Sequence, residues 1–150
     1  MSGTEQDLWE FVENARKEFR NLPPEEAAFP RGCKNLAQYS DPTHIYGKGT
    51  PIHTRGALLY NHHLGKKNVD MRYEKIKNGE KIHFTYLTTP NPINENVISF
   101  MNVLPREFDL HRFVDYDMQF DKAFVEPLKV VVNLINWNVE PVASLDSFFG

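Results

Sequence analysis

The spacing of apolar residues changes along this chain, and this change restricts its fold more than any other feature. Residues 5–20 place apolar side chains every three or four positions, as in an amphipathic helix. In residues 80–86 the period becomes two, because apolar and polar side chains alternate in a β-prone run. We therefore expect an α+β fold that is mainly helical with a small antiparallel β element.

Two helices are predicted ahead of the alternating run. Thr4 is a suitable N-cap for the first, residues 5–20. Thr50 is a suitable N-cap for the second, which would begin at Pro51 and end near Leu64. Gly65 is expected to stop this helix.

Further elements are predicted on both sides of residue 100. Residues 69–77 suggest a short helix, and residues 97–100 suggest the partner strand of residues 80–86. Residues 115–135 form the longest apolar-periodic segment, which predicts a core helix bent at Pro127. Its inward-facing residues should be Met118, Phe120, Phe124, Leu128, Val131, Val132 and Ile135.

Positive charge is concentrated in the middle of the chain, although the net charge is −3. In residues 1–30 and in residues 100–150, acidic side chains outnumber basic ones. Residues 31–67 contain only one acidic residue, Asp41. The basic residues of this middle region are Arg31, Lys34, Lys48, Arg55, Lys66 and Lys67. Such a distribution fits an electrostatic footprint for a polyanion, or a basic face without a ligand.

Residues 47–61 carry the features of a backbone-phosphate contact. Gly47 and Gly49 allow a close approach to a ligand, and Lys48 and Arg55 supply charge for phosphate oxygens. The amides at the start of the following helix also favour an anion. The alternative is an ordinary capped surface helix.

The sequence contains no recognisable active site. Asp115 and Asp117 precede a long apolar-periodic helix, so they are better explained as its cap and first-turn charges than as metal ligands. His62 and His63 point in different directions on a helix, which favours structural or solvated roles. A single cysteine, Cys33, fits a reducing compartment, and without a membrane span or signal peptide the sequence predicts a cytoplasmic protein.

The C-terminus ends in an apolar cluster. Leu145, Phe148 and Phe149 are spaced so that one helical turn could present them together to a partner's pocket. The alternative is a tail that docks on its own domain.

In this order, the features resemble the C-terminal thumb region of the family B DNA polymerases of T-even-like bacteriophages. Residues 51–61 are similar to the family's Pro-aromatic-His-x-Arg-Gly-x-Leu-x-Tyr-Asn motif. Residues 18–22 resemble the end of the helix from palm to thumb, and residues 90–92 resemble an Asn-Pro turn after a strand. Residues 115–128 resemble the late thumb helix, and residues 144–149 resemble the peptide that holds the sliding clamp.

The resemblance implies three parts: a linking helix in residues 1–28, a duplex-binding thumb domain in residues 29–140 and a flexible clamp-binding tail in residues 141–150. The implied DNA-binding residues are Lys34, Asn35, Gln38, Tyr39, Lys48 and Arg55. The implied clamp-binding residues are Leu145, Phe148 and Phe149. Gly32 and Gln38 depart from the family, whose members can carry a hydroxyl and a lysine there.

The resemblance also implies that this chain is inactive alone, because the palm signatures, the fingers lysine helix and the exonuclease carboxylates are absent. Magnesium and dNTP would bind at the palm of the complete enzyme, and no catalytic residue, cofactor or metal is assigned to this chain. The implied partners are primer–template DNA, the phage sliding clamp and the remaining exonuclease, palm and fingers part, in the cytoplasm of the infected cell. The alternatives are a clamp-binding accessory protein without a catalytic partner and an unrelated sequence-selective nucleic-acid module.

Overall fold

The computed structural model describes residues 3–34, 36–39 and 49–139, except for the side chains of residues 37 and 39. The described residues form two compact units, one of residues 3–21 with 120–139 and the other within Leu22–Gln119. The helices are α1 (Glu5–Phe19), α2 (Pro24–Ala27), α3 (Ile52–Lys66), α4 (Tyr116–Phe120) and α5 (Glu126–Val132). The strands are β1 (Phe29–Gly32), β2 (Lys81–Tyr86) and β3 (Val97–Phe100), antiparallel in the order β1-β2-β3.

Shorter helical turns complete the described chain. The 3-10 turns are Leu36–Tyr39, Arg106–Phe108, His111–Phe113 and Asn133–Ile135, and Asp121–Val125 is π-helical. The predicted α+β class is confirmed, while the domain boundaries implied by the resemblance remain a prediction. None of the described helices has the length and apolarity needed to cross a bilayer.

In the first unit, α1 begins where the sequence predicts. The Asp7 amide donates to the Thr4 hydroxyl at 3.1 Å, and the Thr4 amide donates to the Asp7 carboxylate at 3.0 Å, forming a capping box. Arg16 is buried and donates to Asp121 at 2.8 Å. The core of this unit consists of Val12, Phe120, Val125, Val132 and Val139.

In the second unit, α3 packs on the three-stranded sheet. The predicted pairing of β2 with β3 is confirmed, with Phe84 opposite Ser99. β1 was not predicted, because Pro30 and Gly32 indicate an irregular approach to the basic region. β1 nevertheless pairs along one edge of β2, where Phe29 lies opposite Phe84.

The predicted ends of α3 are wrong at both termini. Pro51, not Thr50, is the N-cap residue, and its carbonyl accepts the first helical hydrogen bond, from the Arg55 amide at 2.9 Å. Gly65 lies inside the helix, which ends at Lys66. Asn68 adopts the left-handed conformation after the end instead, at φ 57°.

The short helix predicted for residues 69–77 does not form beyond a single turn. The Asn61 side chain accepts from the Ile76 amide at 2.7 Å and donates to the Ile76 carbonyl at 3.0 Å. The Tyr60 hydroxyl donates to the Glu74 carbonyl at 3.1 Å. These bonds from α3 use the backbone groups that a helix would have paired internally.

The predicted core helix of residues 115–135 is also divided. Asp115 caps it as expected, accepting from the Met118 amide at 3.0 Å. The π-helical segment Asp121–Val125 precedes Pro127, whose missing N–H and bulky ring disfavour the regular hydrogen bond of a preceding turn.

The wide π turn changes the phase of the helix, so part of the predicted inward face is wrong. Phe120 and Val132 are buried, and Phe124 and Leu128 are half-buried. The residues predicted to face inward that are exposed instead are Val131 and Ile135, which follow the π turn, and Met118, which precedes it on α4 and whose exposure the turn does not explain.

Candidate nucleic-acid interface

Gly56 allows the start of α3 to lie directly on β3. A Cβ atom at this position would lie 2.3 Å from the Ser99 hydroxyl oxygen and 2.8 Å from the Ser99 backbone nitrogen. The Ser99 hydroxyl donates to the His53 carbonyl at 2.8 Å, which ties the first turn of α3 to the strand. The glycine of the motif in residues 51–61 therefore has a packing role.

Arg55, predicted to contact DNA, lies in the same turn and is half-buried. Its Nη2 atom donates to the Asn96 side chain, which lies just ahead of β3. Its Nε atom is buried and makes no hydrogen bond within the described part of the chain. Arg55 thus braces α3 against the connection between β2 and β3, a contact that the sequence pattern did not reveal.

A basic and aromatic surface lies beside this turn. Arg31 is exposed on the edge strand β1, and its guanidinium lies 5.3 Å from the centre of the Phe84 ring and 6.0 Å from that of Phe29. These distances allow cation–π contacts, which orient the guanidinium without removing it from solvent. The sequence identified Arg31 only as one member of the basic region.

His53 adjoins the same surface, with its ring centre 6.3 Å from that of Phe84. Burial lowers the pKa of His53, and the nearby positive charge of Arg31 lowers it further. His53 is therefore neutral near pH 7, and Arg31 supplies the charge here.

Two more of the predicted DNA-binding residues, Lys34 and Gln38, are exposed in the segment after β1. The Cys33 amide between them and β1 donates to the Glu80 carbonyl at 2.9 Å, and the Leu36 amide donates to the Asn78 side chain at 2.7 Å. These bonds fasten the segment to the turn that leads into β2. The structure therefore presents Lys34 and Gln38 on an anchored segment.

The other predicted site residues cannot be located in the same way. Asn35, Lys48 and the side chain of Tyr39 lie outside the described residues, and so do the clamp-binding residues Leu145, Phe148 and Phe149.

The two histidines on α3 differ in environment. His63 is buried, with its ring 6.1 Å from that of Phe108, whereas His62 is exposed. Burial, together with the charges of His62, Lys66 and Lys67, lowers the pKa of His63 to about 4. His63 is a neutral core residue, in agreement with the structural role expected from the sequence.

Comparison with known proteins relates this arrangement to DNA replication enzymes. No protein-family model matches the chain. It is 29% identical over 150 residues to the DNA-directed DNA polymerase of Enterobacteria phage T4, an alignment that covers 97% of this chain and 16% of the polymerase. It is 30% identical over 136 residues to the DNA-directed DNA polymerase of Escherichia phage RB69, covering 87% of this chain and 14% of that protein.

These matches confirm the resemblance recognised in the sequence: the chain is related to the DNA-directed DNA polymerases of phages. It spans no more than 16% of the length of these two relatives.

Proposed function

We propose that this chain is the thumb and C-terminal part of a phage replicative DNA polymerase. It grips the primer–template duplex without reading its sequence and tethers the enzyme to the sliding clamp. The observation that carries this proposal is the alignment of 97% of the chain with the polymerase of phage T4.

The grip on DNA uses the sugar–phosphate backbone. Lys34 and Gln38 are exposed on a segment whose backbone is anchored, so little backbone ordering is needed for them to meet a phosphate. Lys48, Asn35 and Tyr39 complete the proposed contact set.

Arg55 can take part in this grip while it keeps its structural contact. A guanidinium has five N–H donors, and one nitrogen of Arg55 is used by Asn96. Replacing Arg55 should therefore weaken both the packing of α3 and the contact with DNA. Since the two effects would be mixed, a substitution of Lys34 tests the DNA contact more directly.

The tail supplies the link to the clamp. Leu145, Phe148 and Phe149 enter an apolar pocket of the clamp as one cluster. Polymerisation itself takes place at the palm of the complete enzyme, which holds magnesium and dNTP.

Fluorescence anisotropy with labelled primer–template duplexes of unrelated sequence tests the grip. We expect similar affinities for all DNA sequences and a steep fall of the affinity with salt concentration. Lys34→Ala should reduce the slope of log affinity against log salt concentration by about one, because one phosphate contact is lost. Lys129→Ala, at an exposed lysine of the first unit, is the matched control and should leave the slope unchanged. Sequence-selective binding, or equal slopes for both variants, would contradict the proposal.

The clamp contact is tested in parallel with the clamp of the same phage. Replacing Phe148 and Phe149 by Ala should abolish clamp binding and leave duplex binding unchanged. Unaltered clamp affinity would refute the role of the tail. Restoration of primer extension after mixing with the remaining polymerase polypeptide would distinguish a polymerase part from a clamp-binding accessory protein.

A further inference from the structure

The last helix of the described chain has a second apolar face that points to solvent. Val130 is 70% exposed, Val131 62%, Leu134 83% and Ile135 58%. These residues lie on α5 and the 3-10 turn that follows it. The opposite side of the same helix carries Val132, which is buried in the core of the first unit.

A further exposed apolar residue of the same unit lies on α1. Phe11 is 61% exposed, and its ring centre lies 6.2 Å from that of Phe124. Phe124 itself is half-buried and packs against the core of the first unit, which includes Val132. We call the set Phe11, Val130, Val131, Leu134 and Ile135 the outer face.

The outer face differs from the scattered exposed apolar residues that any protein carries. In the described part of the second unit, the strongly exposed large apolar residues are Met71, Val103 and Met118, from three separate segments. The outer face instead groups four branched aliphatic side chains on neighbouring turns of α5 and the 3-10 turn after it, with Phe11 on α1 in the same unit. A contiguous patch of this kind marks an interaction site.

We propose that the outer face is the surface on which this chain docks onto the remaining exonuclease, palm and fingers part of the polymerase. The inference rests on the proposed function. In the curated relatives, at least 84% of the polymerase lies outside the segment that matches this chain. A compact unit next to so large a remainder needs an apolar surface that stays uncovered until the two meet.

The size of the face also favours this occupant over a second copy of the chain. Stable protein–protein interfaces use about 20–30 residues on each side, far more than this face offers. A polymerase remainder that holds the same duplex as the thumb gains a second attachment through the DNA, so a small apolar contact suffices.

The test compares Leu134→Asp with Met71→Asp in the full chain. Both residues are highly exposed, at 83% and 93%, so neither change should unfold its unit. Binding to the exonuclease–palm–fingers polypeptide from the same genome is measured by titration calorimetry with and without a primer–template duplex, because the duplex supplies the second attachment. We expect Leu134→Asp to weaken it at least about tenfold, as at a central interface residue, and Met71→Asp to leave it unchanged.

Equal affinities for wild type and Leu134→Asp would overturn the proposal. So would a dimer of the wild-type chain in sedimentation that Leu134→Asp converts to a monomer, because a second copy would then occupy the face. The proposal also fails if deletion of residues 140–150 and Leu134→Asp lower the melting temperature equally while docking is unaffected, since the tail would then cover the face.

Duplex binding by the same variants separates this inference from the proposed function. Docking that depends on Leu134 without any affinity for duplex DNA would refute the proposed grip but retain the docking surface. Duplex binding without docking would refute the docking surface alone.

Discussion

Replacing Gly56 by alanine would separate α3 from β3 within the motif of residues 51–61. The new Cβ would lie 2.3 Å from the Ser99 hydroxyl oxygen, 2.8 Å from the Ser99 nitrogen and 3.1 Å from the Ile98 carbonyl carbon. Rotation of the Ser99 side chain can relieve only the first contact. The two contacts with backbone atoms require the helix or the strand to move.

The expected change in the free energy of unfolding combines two destabilising effects and one stabilising effect. Overpacking a close contact costs about 1–3 kcal/mol. Loss of the hydrogen bond from Ser99 to the His53 carbonyl costs about 0.5–1.5 kcal/mol more. Alanine is the better helix former by about 1 kcal/mol, which offsets part of the loss. We expect the free energy of unfolding to fall by about 2 kcal/mol.

Urea unfolding followed by far-UV circular dichroism measures this change. Tryptophan fluorescence is unsuitable, because Trp9 and Trp137 both belong to the first unit and Gly56 belongs to the second. The matched control is Gly65→Ala in the same helix, where an added Cβ meets nothing within 4 Å. That variant should be stabilised by about 0.5–1 kcal/mol.

The double variant Gly56→Ala with Ser99→Ala tests the assigned cause. It removes the contact with the hydroxyl and leaves the one with the Ser99 nitrogen, so it should recover only part of the lost stability. If Gly56→Ala is as stable as Gly65→Ala, the helix does not depend on this close approach and the reasoning is wrong.

Two further predictions concern the remainder of α3. The pKa of His63 is about 4 in the folded chain, against about 6.5 when unfolded, so stability is fully present above pH 6.5 and falls as the pH drops toward 4. The loss in the free energy of unfolding should reach about 3 kcal/mol. His63→Leu should flatten the dependence of this free energy on pH between pH 6.5 and 4, as measured by urea unfolding. Parallel pH profiles for the two proteins would refute the low pKa of His63. Asn61→Ala should cost about 2 kcal/mol, because the Ile76 amide and carbonyl lose their partner. Asn61→Asp keeps an acceptor for the Ile76 amide but places a carboxylate oxygen against the Ile76 carbonyl oxygen, so it should not recover the loss, and full recovery in urea unfolding would count against this account.

Much of the fold could be predicted because its signals are local. The capping box at Thr4 and the amphipathic pattern of α1 involve residues within a few positions of one another. The alternation along residues 81–84 of β2 is also readable from the sequence, since successive side chains of a strand point to opposite faces, whereas Thr85 is buried against expectation.

The candidate site was predictable only in part. Lys34 and Gln38 are exposed, as binding residues must be, but the sequence did not reveal their fastening to the turn before β2. The motif in residues 51–61 was recognised as a likeness, while the structural partners of Arg55 and Gly56 come from residues about forty positions away, Asn96 and Ser99.

The sequence by itself determined the α+β class, the main helices, the pairing of β2 with β3 and the relation to phage polymerases. Tertiary structure decided that residues 29–32 form a strand, that residues 69–77 form no helix beyond a single turn and that residues 121–125 widen into a π turn. It also decided that the two ends of the described chain share one core. The physical reason is the distance in sequence over which the interactions act. Helix periodicity and capping involve near neighbours. Strand pairing, the hydrogen bonds of the Asn61 side chain to Ile76 and the exposure of the outer face depend on distant segments that meet only on folding.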